Sequence, residues 1–248
     1  MLVPSPRRTP TAYFGDDVAV LLARLHPTRG AALVLGAGPG AVATHIARTA
    51  RRVLAVDPDP IAHACAELNV AMLGTQNVEL RCAAIETELG DEKFDRIAVA
   101  PTHPMPIADG PAIEETGPAV LARVLAALPA RLLPGGIAQL VGILHGNEDG
   151  PALPQLSALA AEHGVRAVVT VPSRQQLAPG SALFEAFSNG LAAARSLDPS
   201  VVKRAHHRYL TDRRATHMYL ASITLAHSAT PGVEVTRHWT RPGGGWQR

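Results

Sequence analysis

The sequence has few cysteines, few aromatic residues and little excess charge. Only two of the 248 residues are cysteine, Cys65 and Cys82, which excludes a fold held together by several disulfides. Both lie in predicted regular elements, so we expect buried thiols in a reducing compartment, with a single bridge as the alternative. The formal net charge is +2 and 18% of the residues are charged. This composition gives no indication of nucleic acid as the main partner.

Long apolar runs and metal-binding motifs are also missing. No hydrophobic stretch approaches the length of a membrane span, and the first ten residues lack the apolar segment of a signal peptide. We therefore expect a cytoplasmic protein with no membrane partner. The eleven histidines do not follow the spacing of a zinc site, and the adjacent His206 and His207 would point apart on a helix. The sequence thus predicts no metal.

What the sequence does contain is a glycine-rich turn between two apolar runs. The runs at 31–35 and 53–56 read as strands separated by a helix, and the second run ends on Asp57. The first run leads into three glycines, Gly36, Gly38 and Gly40. Glycines let the backbone approach a ligand closely, and an acid at the tip of the second strand can bind ribose hydroxyls. The pattern is typical of the first half of a nucleotide-binding α/β domain.

Helices and strands alternate through a sixth strand, which predicts a mostly parallel sheet covered on both faces. Residues 174–213 break the alternation with two helix-like pieces, at about 182–195 and 199–210. Thr216–Ala226 has strand composition, and we expect it to lie antiparallel at the sheet edge, with His217 and Tyr219 at the surface or half-buried. Val233–Trp239 is a further short candidate strand. The fold class is therefore α/β, with a helical insertion before an antiparallel edge strand.

The length suits one domain with additions. We expect a lead-in and helix at 1–30, the nucleotide-binding domain at 31–228, and a C-terminal tail at 229–248. The insertion at about 174–213 belongs to the central domain. Within its first helix, Phe184, Phe187 and Leu191 are spaced to form a core-facing stripe. The oligomeric state stays open, with a homodimer as one possibility.

Two classes of cofactor use a glycine turn of this kind. Residues 36–41, GAGPGA, fit the pattern of flavin and nicotinamide proteins, and Asp57 follows at a spacing close to that of a dinucleotide fold. S-adenosylmethionine (SAM) also lies across the ends of the first two strands of its domain. Since the glycines serve both classes, the neighbouring segments must distinguish them.

Those neighbouring segments resemble class I SAM-dependent methyltransferases. FDRIAVAPTHP at 94–104 is similar to their fourth strand and catalytic loop, and LLPGGIAQLVG at 132–142 to their fifth strand. YFGDD at 13–17 resembles the cofactor-contacting segment of the subgroup related to glutamine and ribosomal-protein methyltransferases. The resemblance covers roughly residues 12–172 and the strand at 216–226.

The resemblance implies a Rossmann-like class I methyltransferase fold with a seven-stranded sheet. It also implies an enzyme that uses SAM and releases S-adenosylhomocysteine. The residues that it assigns to the cofactor are Phe14, Gly15, Asp16, Gly36, Ala37, Gly38, Gly40, Asp57, Pro58, Ala84, Ile85, Ala100 and Pro101. The candidate acceptor residues are Thr102, His103, His206 and Tyr209, although an exposed polar helix face explains His206 and Tyr209 equally well.

The sequence departs from the family at three places. Val34 stands where an acid usually holds the methionine amino group, and Ala84 where an acid usually binds the adenine amine. Residues 100–103, Ala-Pro-Thr-His, replace the Asn-Pro-Pro-aromatic motif that grips planar nitrogens. This replacement argues against methylation of amides or planar amines. His103 takes the place of the grip and is the candidate general base for a hydroxyl or amine, with a loop-capping histidine as the alternative.

Three hypotheses for function follow. The favoured one is a SAM-dependent methyltransferase that acts on a small molecule at oxygen or at an amine, with no nucleic-acid substrate. The second is a protein of the same fold that binds SAM but catalyses another step, such as a cyclisation, or is not catalytic. The third is a flavin or nicotinamide oxidoreductase.

Overall fold

The computed structural model describes residues 15–83, 91–100, 125–195 and 197–237. The helices are α1 (Asp16–Arg24), α2 (Ala41–Ala47), α3 (Pro60–Met72), α4 (Pro154–His163), α5 (Ala182–Arg195) and α6 (Pro199–Asp212). The strands are β1 (Ala31–Leu35), β2 (Arg52–Asp57), β3 (Val78–Cys82), β4 (Phe94–Val99), β5 (Leu132–Asn147), β6 (Gly150–Pro151), β7 (Val165–Gln176), β8 (His217–His227) and β9 (Gly232–Arg237). A short 3-10 turn, Pro129–Arg131, leads into β5.

The strands form one mixed sheet in the order β3-β2-β1-β4-β5-β8-β7-β9. Neighbours from β3 to β5 are parallel, β8 is antiparallel to both β5 and β7, and β9 is parallel to β7. The short β6 pairs with β5. The predicted alternation and mostly parallel sheet are confirmed, and the described residues form nine strands where seven were expected.

The predicted edge position of β8 is wrong. This strand lies between β5 and β7, and both of its sides are hydrogen-bonded. Tyr219 and Met218 on β8 are accordingly 0% and 2% exposed, whereas His217 at its start is half-buried as predicted. The apolar run of β8 is what a strand covered on both faces requires, and composition alone does not identify its neighbours. The strand after β8, predicted at Val233–Trp239, is β9 at Gly232–Arg237. It forms the end of the sheet next to β7.

Local sequence explains where several helices begin and end. Asp59 caps α3 because its carboxylate accepts from the backbone N–H of Ile61, and Pro60 occupies the first turn. Asp198 caps α6 in the same way through the N–H of Ser200. At the other end of α4, Gly164 has φ +61°, a left-handed conformation that glycine adopts without a Cβ penalty.

Apolar side chains pack against both faces of the sheet. One layer lies under α4, and the other lies under α1 and α2 and includes Val34 and Leu220. A third, smaller cluster joins α5 and α6 to the sheet, and the predicted core stripe of Phe184, Phe187 and Leu191 is confirmed there. None of the helices in the described ranges is long and apolar enough to cross a membrane.

The two cysteines are both free, and neither is buried. Cys65 on α3 is half-buried and Cys82 at the end of β3 is exposed. The expectation of buried thiols is therefore wrong, because β3 lies at one end of the sheet and α3 covers only one of its faces. No disulfide joins them.

Candidate functional site

The glycine turn lies at the carboxyl ends of the central parallel strands. The backbone N–H groups of Gly36 and Ala37 donate to the carbonyl of Val56 at 3.0 and 3.1 Å, which fixes the turn to the end of β2. The N–H of Ala100, just past β4, donates to the carbonyl of Leu35 at 3.1 Å. The ends of β1, β2 and β4 are thereby held together, at the edge where α/β folds bind ligands.

Asp57 orders this turn as well as ending β2. Its Oδ2 accepts from the N–H of Gly38 at 2.7 Å, and its Oδ1 accepts from the N–H of Asp59 at 2.9 Å. A carboxylate has about four lone-pair positions, so two remain for the hydroxyls of a ribose. Burial raises the pKa of the Asp57 carboxyl above its ordinary value, although the two backbone hydrogen bonds act in the opposite direction.

The glycines permit a close approach of α3 to the turn. Gly40 has φ +87°, and a Cβ placed on it would lie 3.3 Å from the Cβ of Ala66 on α3. Next to it, Nδ2 of Asn69 donates to the carbonyl of Pro39 at 2.9 Å, and Asn69 is 2% exposed. Asn69, which ties α3 to the turn, was not predicted from the sequence. Its signal was a polar residue on the face of α3 that also carries Ala62 and Ala66.

Helix α1 brings a second segment to the same edge. Its last carbonyl, on Arg24, accepts from Nε2 of Gln139, and Oε1 of Gln139 accepts from the N–H of His26. These bonds hold the end of α1 near the middle of β5. Val18 and Leu21 of α1 pack in the layer of Val141, which lies past Gln139 along β5, so the start of α1 lies toward the carboxyl edge.

Val34 takes the position usually held by an acid, and its surroundings in the structure are also apolar. Val34 is 0% exposed and packs in the layer under α1 and α2. The amino group of the methionine part of SAM must therefore be bound by groups other than the side chain of residue 34. At the start of α1, Asp17 is half-buried, and its Oδ1 accepts from the N–H of Val18 at 2.8 Å. The predicted partners of this amino group are backbone carbonyls, water or the Asp16–Asp17 pair.

A cap of two helices stands beyond the glycine turn. Val99, at the end of β4, pairs with Leu140, yet β5 continues to Asn147 and β7 to Gln176. Helices α5 and α6 pack on each other and on this extension of the sheet. The extension and the two helices together are called the cap below. Its apolar members are Leu177, Phe184, Tyr209, Leu210, Ala215 and Met218.

Polar side chains meet at this apolar cap, where Tyr209 is buried, His145 half-buried and Arg213 exposed. Oη of Tyr209 lies 3.4 Å from Nδ1 of His145, and the guanidinium carbon of Arg213 lies 4.0 Å from the centre of the Tyr209 ring. Tyr209 is 8% exposed, and burial raises the pKa of its hydroxyl. Tyr209 was predicted from the sequence, whereas His145 and Arg213 were not. Their only signal was a histidine just past the predicted end of the fifth strand and an arginine one turn after the tyrosine.

His206 is also buried in the cap, where it is 1% exposed. Its Nδ1 lies 2.9 Å from Oγ of Ser188 on α5, and its Nε2 has no hydrogen-bond partner among the described residues. Burial lowers the pKa of the imidazole, so the neutral form is favoured. The alternative of an exposed helix face is wrong for His206 and Tyr209, whereas His207 is exposed.

The predicted site residues thus fall into two groups. At the glycine turn the structure brings together Gly36, Ala37, Gly38, Gly40, Asp57, Pro58 and Ala100. His206 and Tyr209 lie together in the cap. The residues Phe14, Ala84, Ile85, Pro101, Thr102 and His103 lie outside the described residues, as does the side chain of Asp16.

Comparison with known proteins gives a family match over part of the chain. The family model described as "Methyltransferase domain" matches residues 33–103. No curated protein matches the sequence significantly. Among solved structures, the YcgJ protein from Bacillus subtilis has a TM-score of 0.52 at 12% identity, over 85% of this chain and 96% of that one.

Two further structures have a similar fold. Trm5b from Pyrococcus abyssi has a TM-score of 0.51 at 18% identity, over 87% of this chain and 50% of that one. The ribosomal protein L11 methylase from Lactobacillus delbrueckii subsp. bulgaricus has a TM-score of 0.50 at 17% identity, over 89% of this chain and 83% of that one. At these identities the likeness concerns the fold.

The family match falls on the part of the chain that carries the glycine turn and Asp57. It assigns residues 33–103 to a methyltransferase domain, and the fold of the chain is shared by a solved methylase. The protein is therefore an enzyme whose cofactor is SAM. The lone pairs of Asp57 and the backbone of the glycine turn suit the adenosine part of that cofactor.

Proposed function

We propose that the enzyme methylates a small-molecule acceptor at a hydroxyl oxygen or an amine nitrogen. The observation that carries the proposal is the set of hydrogen-bonding groups in the cap, on the buried His206 and Tyr209 and the half-buried His145. Groups covered by two helices can contact only a molecule small enough to enter between them. A large surface of protein or RNA has no route to such groups without displacing α5 and α6.

The proposed site has a cofactor end and an acceptor end, each formed by different residues. The turn glycines and Asp57 hold SAM, with Ala37, Pro58, Ala84, Ile85, Ala100 and Pro101 along the adenosyl group and Phe14 to Asp16 closing over it. Thr102, His103, His206 and Tyr209 bind the acceptor. We further propose that residues 31–228 form the catalytic domain, that 1–30 and 229–248 flank it, and that the enzyme acts in the cytoplasm.

Methyl transfer from a sulfonium requires little covalent chemistry from the protein. SAM supplies an electrophilic methyl group, and the acceptor must lie in line with the bond that breaks. The acceptor oxygen or amine nitrogen forms the new bond to carbon, the sulfur keeps the electron pair of the old bond, and His103 takes the proton that the acceptor loses. A neutral imidazole is suited to this task near pH 7.

The proposal is tested by coupling cofactor binding to turnover. SAM and S-adenosylhomocysteine are titrated by calorimetry, and formation of S-adenosylhomocysteine is then measured with a panel of hydroxylated and amine acceptors. We expect turnover with a member of the panel, and a rise in its KM in Tyr209→Phe and His206→Ala with SAM affinity unchanged. His207→Ala, on the exposed side of the same helix, is the matched control.

The competing function is a SAM-binding protein that performs another step. The apolar, fully buried Val34 favours it, because the amino group of SAM lacks the acid that usually holds it. Tight SAM binding with no S-adenosylhomocysteine formed from any acceptor, and no effect of His103→Ala on any conversion, would favour this alternative.

A further inference from the structure

Strand β3 lies at one end of the sheet and pairs only with β2 among the described residues. The carbonyl of Asn77 accepts from the N–H of Val53, and the N–H of Ala83 donates to the carbonyl of Asp57. Backbone groups alternate in direction along a strand, so the odd-numbered residues of β3 face β2. The N–H and C=O groups of Val78, Leu80 and Cys82 therefore point outward.

An open row of this kind is a template for another strand. Natural proteins block such edges with proline, lysine, bulges or a covering element. Strand β3 has no proline or lysine, and its five-residue register with β2 is unbroken. Instead it carries one residue of each charge, Glu79 and Arg81, on a single face, where Nη2 of Arg81 lies 2.6 Å from Oε1 of Glu79.

The order of these charges fits a second copy of the same strand. If two β3 strands pair antiparallel about Leu80, Glu79 of each copy lies opposite Arg81 of the other. Both are positions where the backbone does not face the partner strand, and at such positions the side chains come closest. Moving the centre to Glu79 or Arg81 places like charges opposite each other. The charges therefore select the register centred on Leu80.

We propose that two copies of the chain associate through β3 in this register, so that their sheets become continuous across a two-fold axis. Leu80 then exchanges both backbone hydrogen bonds with its counterpart, and Val78 lies opposite Cys82. Helix α3, which packs on β2 and β3, exposes Ile61, Leu68 and Met72 by 51%, 47% and 65%, so this end of the molecule has apolar surface for a second copy to cover. A uniformly acidic or uniformly basic partner would meet a like charge on β3, because this strand carries one residue of each sign.

A charge swap tests the register directly. The association constant is measured by sedimentation equilibrium at up to about 100 μM protein, a range that includes weak homodimers. We expect Glu79→Arg and Arg81→Glu each to weaken association about tenfold, because each places two like-charge contacts across the axis. The double variant Glu79→Arg/Arg81→Glu restores the opposite charges and should return to within about twofold of the wild type.

A backbone variant tests the strand pairing without using charge. The N–H of Leu80 points away from β2, so Leu80→Pro removes a bond to the second copy and none to β2. We expect loss of the dimer with the thermal unfolding curve retained. Glu234→Arg on β9, where Glu234 pairs with Arg166 at the other end of the sheet, is the matched control and should leave association unchanged.

Three outcomes would overturn the proposal. A wild type that stays monomeric over the whole concentration range overturns the proposal. So does a dimer that persists unchanged in Glu79→Arg, or single charge variants that the double variant does not rescue. If Leu80→Pro fails to fold, the charge-swap series decides alone, since its three variants are checked for the native unfolding transition before use.

Discussion

Asp57 holds the shape of the glycine turn through its own carboxylate. Its carboxylate accepts from the backbone N–H groups of Gly38 and Asp59, so the turn keeps its shape only while both oxygens accept. In Asp57→Asn one oxygen becomes an N–H₂ donor and one backbone N–H loses its acceptor. We expect the Kd for SAM to rise about tenfold to a hundredfold by calorimetry. Asp59→Asn, which keeps a good helix cap, is the control.

The protonation of Asp57 gives a second prediction at the same residue. Burial raises the pKa of this carboxyl above 3.8, so it takes up a proton at a higher pH than an ordinary aspartate. Wild-type affinity for SAM should accordingly begin to fall, on acidification, at a pH above 3.8. Affinity measured against pH in Asp57→Asn should lack this step. An identical profile in the two proteins would contradict the role of the carboxylate.

His206 makes the stability of the cap depend on pH. Burial lowers the pKa of His206 below 6.5, so below that pH the unfolded chain binds more protons than the folded one. The contribution of His206 to the free energy of unfolding should be constant above pH 6.5, decline as the pH falls from 6.5 to the lowered pKa, and level off below it. Urea titrations at several pH values should show a shallower decline in His206→Gln than in the wild type. The other histidines are common to both proteins and cancel in the comparison.

At the scale of the elements, two left-handed glycines allow the effect of backbone strain on stability to be distinguished from an effect on SAM binding. Gly40 (φ +87°) and Gly164 (φ +61°) are both left-handed, but only Gly40 has a neighbour, Ala66, within van der Waals distance of an added Cβ. We expect Gly40→Ala and Gly164→Ala each to lower the free energy of unfolding by about 1–2 kcal/mol. Only Gly40→Ala should also weaken SAM binding, because it displaces the turn from α3. Equal SAM affinities in the two variants would contradict this.

Elements and turn residues were predictable where the signal is local. The segment 182–195 was predicted as helical from its own apolar spacing and is α5 with the same bounds. Asp57 was found because it directly follows an apolar run. Asn69 and His145 were missed because their roles depend on partners 30 and 64 residues away, Pro39 and Tyr209. A single sequence carries no direct record of such contacts.

At the scale of the whole molecule, cofactor binding should stabilise the entire fold. A ligand at about 100 times its Kd adds about 2.7 kcal/mol to the free energy of unfolding of any protein that binds it only when folded. For a chain of 248 residues this corresponds to a rise in Tm of about 5–10 °C. We expect this shift with SAM and S-adenosylhomocysteine in differential scanning fluorimetry, and none with NADH. A shift with NADH alone would restore the oxidoreductase hypothesis.

The order of the strands has a consequence for how the protein is made. Strand β8 (His217–His227) is synthesised after β5 and β7, yet it lies between them and is antiparallel to both. Until residue 227 has left the ribosome, the nascent chain exposes the unpaired sides of two long apolar strands. The cap is built on the extensions of β5 and β7, so it too is completed only after β8 has been synthesised. The half of the molecule that carries the glycine turn is made first, and the half that carries the cap is completed only when this late strand inserts.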